Sequence, residues 1–341
     1  MARKELITRI GKPDRNDVAL LAGVSTATVS RVFNAPELVS KDKVDRVLAA
    51  AQKLSYVPDK NASALRRSGS GTIMLLEQKG AAGFGGGVYD WFYAGIIKSI
   101  KSVVDNSMYQ LQLASFTGEA EIRALGNGPA ADGIIYRADL DKRLLFALED
   151  TGIPYVVTGQ TDTRMLHHNR AYIDEHFGAG LAAGEFMKRG FTKPAHITGN
   201  LTGQIICQSR WAGFQEPWGK NKPLLFDGTL GIQGGYASSK SILERIRRKH
   251  IDCIFVVNDL TAIGVVQALL AGGINIPGDV ALIGYDNLPF IDTFPFTLAT
   301  IDIGFDRLYS EATTELLRSI RNRDPINIAS RPRFVDGISA G

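Results

Sequence analysis

The stretch Asn16–Asn34, NDVALLAGVSTATVSRVFN, decides the fold of the N-terminal part of this chain. It spells two short helices joined by a tight turn. Asp14, just upstream, is placed to cap the first helix, whose apolar residues Val18, Ala19, Leu21 and Ala22 recur at helical spacing. Gly23 then tolerates the left-handed backbone that swings one helix into the next, and Ser25 supplies the second N-cap. With Val24, Val29 and Val32 facing inward, Thr26, Ala27, Ser30 and Arg31 are left on the outer face. These small or polar side chains are of a size that enters a DNA major groove without clashing.

An ordinary helical hairpin with a solvated face shares that pattern, and charge separates the two readings. Up to Ser70 the chain holds 13 Lys/Arg against 7 Asp/Glu, whereas the remainder holds 26 against 28. The basic excess is confined to the N-terminal part, as expected of a small phosphate-binding head on a near-neutral body.

The run GVSTATVSRVFN, the Val39-Ser40 pair, the amphipathic KDKVDRVLAAAQKLSYVP and the segment NASAL together resemble the head of the LacI/GalR family of bacterial transcription regulators. The likeness continues through most of the body. Arg15 and Ser63 depart from the aliphatic and basic residues usual in the family. The resemblance implies that Thr26 and Ala27 choose the half-site, with Thr28, Ser30, Arg31 and Asn34 also contacting DNA. It further implies a hinge helix that orders when two copies meet in the minor groove, where Leu65, beside Arg66, matches the leucine wedged into a central base step. Read from the residues alone, Asn61–Leu65 is one helical turn that needs a partner surface. Packing of Leu65 on the body then stands level with a wedge that bends DNA. The following RRSGSG is a flexible basic connector.

Length and composition set the frame for the rest. A chain of 341 residues exceeds what one core usually serves, and its apolar share of 45% is that of a globular protein. No run of about 18 apolar residues is present, so no membrane span is expected. MARKELITRIGK is basic without the apolar core of a signal peptide, which predicts a cytoplasmic chain. Cys207 and Cys253 are then free thiols, Cys253 a packing residue in DCIFVV, and neither a metal nor a cofactor is expected.

From Thr72 the pattern alternates. TIMLLE, YQLQLA, DGIIYR, PYVVTG, PAHITG, KPLLFDG, DCIFVVN and VALIGYD are short apolar runs of β type. Between most of them lie amphipathic stretches such as WFYAGIIKSIKSVVD, GAGLAAGEFMKRG, ASSKSILERIRRK and LTAIGVVQALLAGG. This predicts an α/β body with parallel doubly wound sheets behind an all-α helix-turn-helix head. The resemblance implies a two-lobed, periplasmic-binding-protein-like architecture. The expected organisation is an N-terminal extension (1–13), the DNA-binding head (14–59), hinge helix and linker (60–71) and an effector-binding and dimerisation domain (72–341). The chain is expected to cross between lobes near Tyr172, Thr300 and Asn327.

Sites in such folds lie at the carboxyl ends of the strands. Asn258 follows CIFVV, Asp286 follows ALIGY, and Arg210 begins RWAGF, read as the start of a helix. In the family the matching trio grips a small effector. A guanidinium fork, an amide and a carboxylate suit a polyol, while Asp286 taken alone also reads as a turn or cap residue in YDNLP. KGAAGFGGGVYDWF holds neither GxxxxGK nor GxGxxG, so it reads as a loop over the cleft, with Tyr89 or Trp91 offering an apolar face or packing in the core.

An enzyme and a transport-type binding protein are the competing classes. His167, His168, His176, His196 and His250 show no metal or nucleophile spacing, and the basic head tells against transport. The expected protein is therefore a sequence-specific regulator, a repressor rather than an activator. It binds a near-palindromic operator as a homodimer and answers to a carbohydrate-like effector.

Overall fold

The computed structural model describes residues 13–34, 36–56, 69–79, 88–128, 130–137, 141–159, 169–227, 229–289, 291 and 295–341. The chain divides into two compact units, residues 1–71 with 107–110, and residues 72–106 with 111–341.

The first unit is built on α1 (Arg15–Ala22), α2 (Thr26–Asn34) and α3 (Lys41–Lys53). Asp14 accepts from the N–H groups of Asn16 and Asp17, and the Asp17 carboxylate accepts from the Asp14 N–H at 2.8 Å, a reciprocal cap that fixes where α1 starts. Gly23 ends it at φ 63°, and the N–H groups of Gly23 and Val24 reach back to the Leu20 and Ala19 carbonyls at 3.3 and 3.0 Å. The Ser25 hydroxyl then caps α2 by accepting from the Thr28 N–H at 3.1 Å. Val18, Ala19, Ala22, Val29 and Val32 bury against Val47, Ala50 and Ala51 of α3. Leu21, expected to face inward, is instead 41% exposed. At 100° per residue it stands well away from the face shared by Val18, Ala19 and Ala22.

The second unit holds two parallel sheets. β1 (Thr72–Gln78), β2 (Gln110–Phe116), β3 (Gly133–Arg137), β4 (Tyr155–Gly159), β5 (Arg170–Ile173) and β11 (Asn327–Ser330) run in the order β11-β5-β4-β3-β1-β2. Register is set by pairs such as Leu75 with Ile135, Ile135 with Val156, and Tyr172 with Ala329. The central strands are apolar on both faces because helices cover both: α4 (Val88–Val104), α5 (Glu119–Ala124), α6 (Lys142–Asp150) and α12 (Phe305–Asn322).

β6 (Pro194–Thr198), β7 (Leu224–Asp227), β8 (Cys253–Val256) and β9 (Ala281–Ile283) form the other sheet in the order β7-β6-β8-β9. It is flanked by α7 (Glu175–Lys188), α8 (Ile205–Gln215), α9 (Ile232–Lys240), α10 (Leu243–Arg247) and α11 (Asp259–Ala271). The chain leaves the first sheet after β5. It returns through β10 (Thr300–Asp302) to α12 and β11, and then runs back along β10 as the antiparallel β12 (Arg333–Val335).

Two expectations of the sequence reading change here. ASSKSILERIRRK is not one helix, because α9 stops at Lys240 and α10 starts at Leu243. The Ser239 and Ser241 hydroxyls donate to the carbonyls of Gly235 and Ser238, each at 2.7 Å, competing with the helical ladder where it breaks. Tyr89 and Trp91 stand in the first turns of α4 rather than in a loop, and their side chains lie outside the described residues.

Candidate functional site

On the head, α2 presents Thr26, Ala27 and Arg31 to solvent. Thr28 and Ser30 are half-buried. The Thr28 hydroxyl lies 2.9 Å from that of Ser25, so its first duty is to the cap. Asn34 closes α2 with its side chain outside the described residues, and Leu65 and Arg66 lie outside them entirely. Lys41, Lys43, Arg46 and Lys53 on α3 are exposed, which keeps the basic excess of the head on its surface.

In the second unit the carboxyl ends of β8 and β9 carry a buried charge network. Arg210, only 4% exposed, sits in the middle of α8 rather than at its start. Its Nε donates to Glu175 Oε2 at 2.8 Å, and its Nη2 donates to Glu175 Oε1 at 3.3 Å and to Asp286 Oδ1 at 3.2 Å. Its Nη1 donates to the Val257 carbonyl at 2.5 Å. The guanidinium carbon lies 3.7 Å above the centre of the Tyr285 ring, a cation–π contact that adds to the ion pairs. Burial opposes the charge on Arg210, yet Glu175 and Asp286 outweigh it and hold the group protonated above its ordinary range.

The acids pay for this closeness. Asp286 is pushed up to about 7, first by burial, with Arg210 opposing and Glu175 adding. Asp259, the first residue of α11, is pushed up to about 8 by burial, with Asp286 adding. Asp259 accepts from the Leu288 N–H at 3.0 Å and the Thr300 hydroxyl at 2.7 Å, and so braces the turn that carries Asp286. That turn is strained: Asp286 has φ 110° and Asn287 φ 56°, left-handed conformations that cost non-glycine residues free energy and gather at functional sites. Asn258 stands beside them as the N-cap of α11, its side-chain oxygen accepting from the Thr261 N–H at 2.8 Å.

Arg210 and Asp286, expected from sequence, are thus brought into direct contact, and Asn258 is one residue from Asp259. Glu175, Tyr285 and Asp259 were missed. Glu175 follows the capping Asp174, where an acid reads as a routine favourable charge in a helix first turn. At the strand ends of the first sheet the sequence reading also passed over Glu77 and Arg137, which pair at 3.3 Å. Their signal was a single charge closing an apolar run. Glu77 is pushed up by burial, against the opposing pull of Tyr93 and Arg137.

Among the described residues no cluster of His, Cys, Asp and Glu is arranged to hold a metal ion, and no helix is long and apolar enough to cross a membrane. His196 is sealed in β6. Its Nδ1 lies 3.0 Å from the Phe255 carbonyl, its ring stacks on Phe255 and Trp211 at 4.8 and 5.7 Å, and burial drives it down to about 3. His176 contacts Glu216 at 3.0 Å, while His167 and His168 lie outside the described residues. Both cysteines are free and buried, and burial pushes the Cys253 thiol up. The network around Arg210 offers hydrogen-bond donors and acceptors.

Residues 16–59 match the lacI family of bacterial regulatory proteins, and residues 183–339 match a periplasmic binding protein-like domain. The HTH-type transcriptional repressor PurR of Vibrio parahaemolyticus serotype O3:K6 is 30% identical over 322 residues, covering 90% of this chain and 92% of that protein. The chain belongs to the lacI family. It is a DNA-binding transcription regulator with an effector domain, not an enzyme. The PurR repressor of Vibrio cholerae serotype O1 strain M66-2 is 28% identical over 319 residues, covering 90% of this chain and 91% of that protein. Among solved structures, the lac repressor dimer bound to operator and the anti-inducer ONPF superposes with a TM-score of 0.71 at 21% identity, covering 97% of this chain and 99% of that one. The CelR–cellobiose complex gives 0.66 at 23% identity, covering 96% and 100%. Family membership thus attaches the head to DNA and the α/β unit to ligand binding.

Proposed function

We propose that this lacI-family chain is a repressor that binds a near-palindromic operator as a homodimer. A small polyhydroxylated effector, a sugar or sugar derivative, bound around Arg210, Asn258 and Asp286 controls its affinity for that operator. The observation that carries the reading is the presence on one chain of an exposed α2 face, suited to a half-site, and a buried guanidinium–carboxylate network at strand ends, suited to hydroxyls. The names of its relatives support the repressor assignment, one similar structure is a dimer on operator, and others hold cellobiose or ribose. In this reading Thr26, Ala27 and Arg31 read bases, with Thr28, Ser30 and Asn34 beside them. Residues 60–71 are the connector through which Leu65 and Arg66 reach the minor groove, and Tyr89 and Trp91 lend an apolar face over the effector. The protein acts in the cytoplasm.

The test is selection of bound fragments from a random DNA library by the purified full chain, followed by titration of the selected site with and without candidate sugars. The expected result is an inverted repeat, bound by two chains, with affinity that falls steeply with salt and shifts with one sugar. A transport-type binding protein would bind sugar with no salt-dependent retention on DNA. Absence of a consensus would end the repressor reading.

A further inference from the structure

A guanidinium carries five N–H donors in a planar fork, and it holds an anion best with two parallel ones. In Arg210 four are already engaged within the protein: Nε and one Nη2 hydrogen clasp the two oxygens of Glu175, the other Nη2 hydrogen meets Asp286, and one Nη1 hydrogen meets the Val257 carbonyl. Among the described residues a single donor is left. A carboxylate or phosphate would have to evict Glu175 to obtain its bidentate grip.

We propose that Glu175 sets the charge preference of the effector site: by occupying the Arg210 fork it shuts out carboxylates and phosphates and leaves room for a neutral or amine-bearing polyol. This rests on the reading of the network as the effector site and names the class of ligand that site accepts. A hydroxyl needs one donor and one acceptor, which the remaining Nη1 hydrogen and the Asp286 carboxylate offer. The electrostatics point the same way. Two carboxyl groups, those of Glu175 and Asp286, already meet one guanidinium, with Asp259 coupled to Asp286, and burial together with these neighbours holds Asp286 up to about 7 and Asp259 up to about 8. Further negative charge would raise both again, whereas an ammonium beside Asp286 would restore its ionised form. At the strand ends of the first sheet, Arg137 is likewise matched by a carboxylate, that of Glu77.

Glu175 escapes attention in the sequence because it stands in a helix first turn. Its side chain is nevertheless turned inward, 9% exposed beside an Arg210 side chain that is 5% exposed.

The test uses the full chain labelled with 15N-arginine. It is titrated with inorganic phosphate against KCl at matched ionic strength, following the Nε–H resonance of Arg210 identified by its loss in Arg210→Lys. In the wild type this resonance should not move. In Glu175→Gln it should shift saturably, with half-saturation at least tenfold below any effect on the wild type, while Glu175→Asp, which keeps the charge, stays silent. Should Glu175→Gln fail to fold, Asp286→Asn decides: with Glu175 still in the fork, it too should stay silent. A saturable shift in the wild type, a silent folded Glu175→Gln or a responsive Asp286→Asn would each overturn the proposal. An operator affinity that no metabolite alters would sink the effector reading while leaving this titration readable.

Discussion

The α2 face and the network around Arg210 handle charge in opposite ways. The α2 face and the basic residues of α3 stand in water, where each side chain keeps its own hydration and its own rotamers. Around Arg210 every ionised group has lost water and depends on its neighbours. A substitution on the α2 face is therefore expected to spare the fold, whereas one in the network is expected to change first whether the unit is stable. Removing the Arg210 side chain would strand two buried carboxylates, those of Glu175 and Asp286.

Predictions that press on this contrast begin with that site. Arg210→Met should destabilise the α/β unit by about 3 to 5 kcal/mol, since breaking a buried pair leaves its partners uncompensated. Adding Glu175→Gln should recover part of the loss. Urea unfolding of the single and double variants gives the comparison, and strict additivity would mean the pair is not coupled.

The next effect is on pH dependence. Asp259 and Asp286 are held at about 8 and about 7, above the 3.8 of a free carboxyl, so between pH 4 and pH 7 to 8 the folded state binds more protons than the unfolded one. Their contribution is fully present below about pH 4 and is lost as pH rises through that window, by at most about 1.4 kcal/mol per pH unit per group. His196 works against it. Lowered to about 3 from 6.5, it favours the folded state above pH 6.5, and that advantage disappears as pH falls toward 3. Asp259→Asn should flatten the alkaline side of the stability profile and His196→Phe the acid side. Thermal melts across pH 4 to 8 that coincide for wild type and both variants would refute these assignments.

On the exposed side, Arg31→Ala should leave the melting temperature unchanged while costing on the order of 1 to 3 kcal/mol of operator affinity and relaxing preference at one base pair per half-site. Selection from a random operator library checks it, and an unchanged consensus would remove Arg31 from base readout. The smallest effect belongs to Leu21→Gln. With that side chain 41% exposed, stability should move by less than about 0.5 kcal/mol. A larger loss would show that Leu21 has a partner on its outer face.

The same contrast explains what the sequence disclosed. In α1 and α2 the caps, the glycine turn and the inward valines are local features, each readable within four or five residues, and Asp14, Gly23, Ser25, Val29 and Val32 do what their positions implied. The buried strands β1, β3, β6 and β8 were legible for a similar reason, since buried parallel strands are continuous apolar runs. β5, β10, β11 and β12, at 3 to 4 residues each, were too short and too polar to carry that signal, although three of the expected lobe crossings were drawn near them. In the candidate site Arg210 and Asp286 were recognisable from their motifs. The ring of Tyr285 beneath Arg210, the grip of Glu175 from another helix and the brace of Asp259 depend on contacts across 29 to 75 positions of sequence, which no local pattern encodes.

The attachment of the Asp286 turn has a mechanical meaning. The Asp286 N–H donates to the Ile301 carbonyl at 2.9 Å, and Thr300 donates to Asp259 at 2.7 Å, so the turn is tied to β10 at two successive residues. β10 is the strand that carries the chain back from the second sheet. It leads directly into α12, whose Phe305 lies 4.1 Å from Phe92 on α4 and whose Asp306 accepts from Ser99 of the same helix. The Asp286 turn is thus fixed to the root of the tether between the two sheets, and the far end of that tether is anchored to α4. The Asp286 turn and the first-sheet helix α4 are in this way joined through one short strand and one helix, β10 and α12.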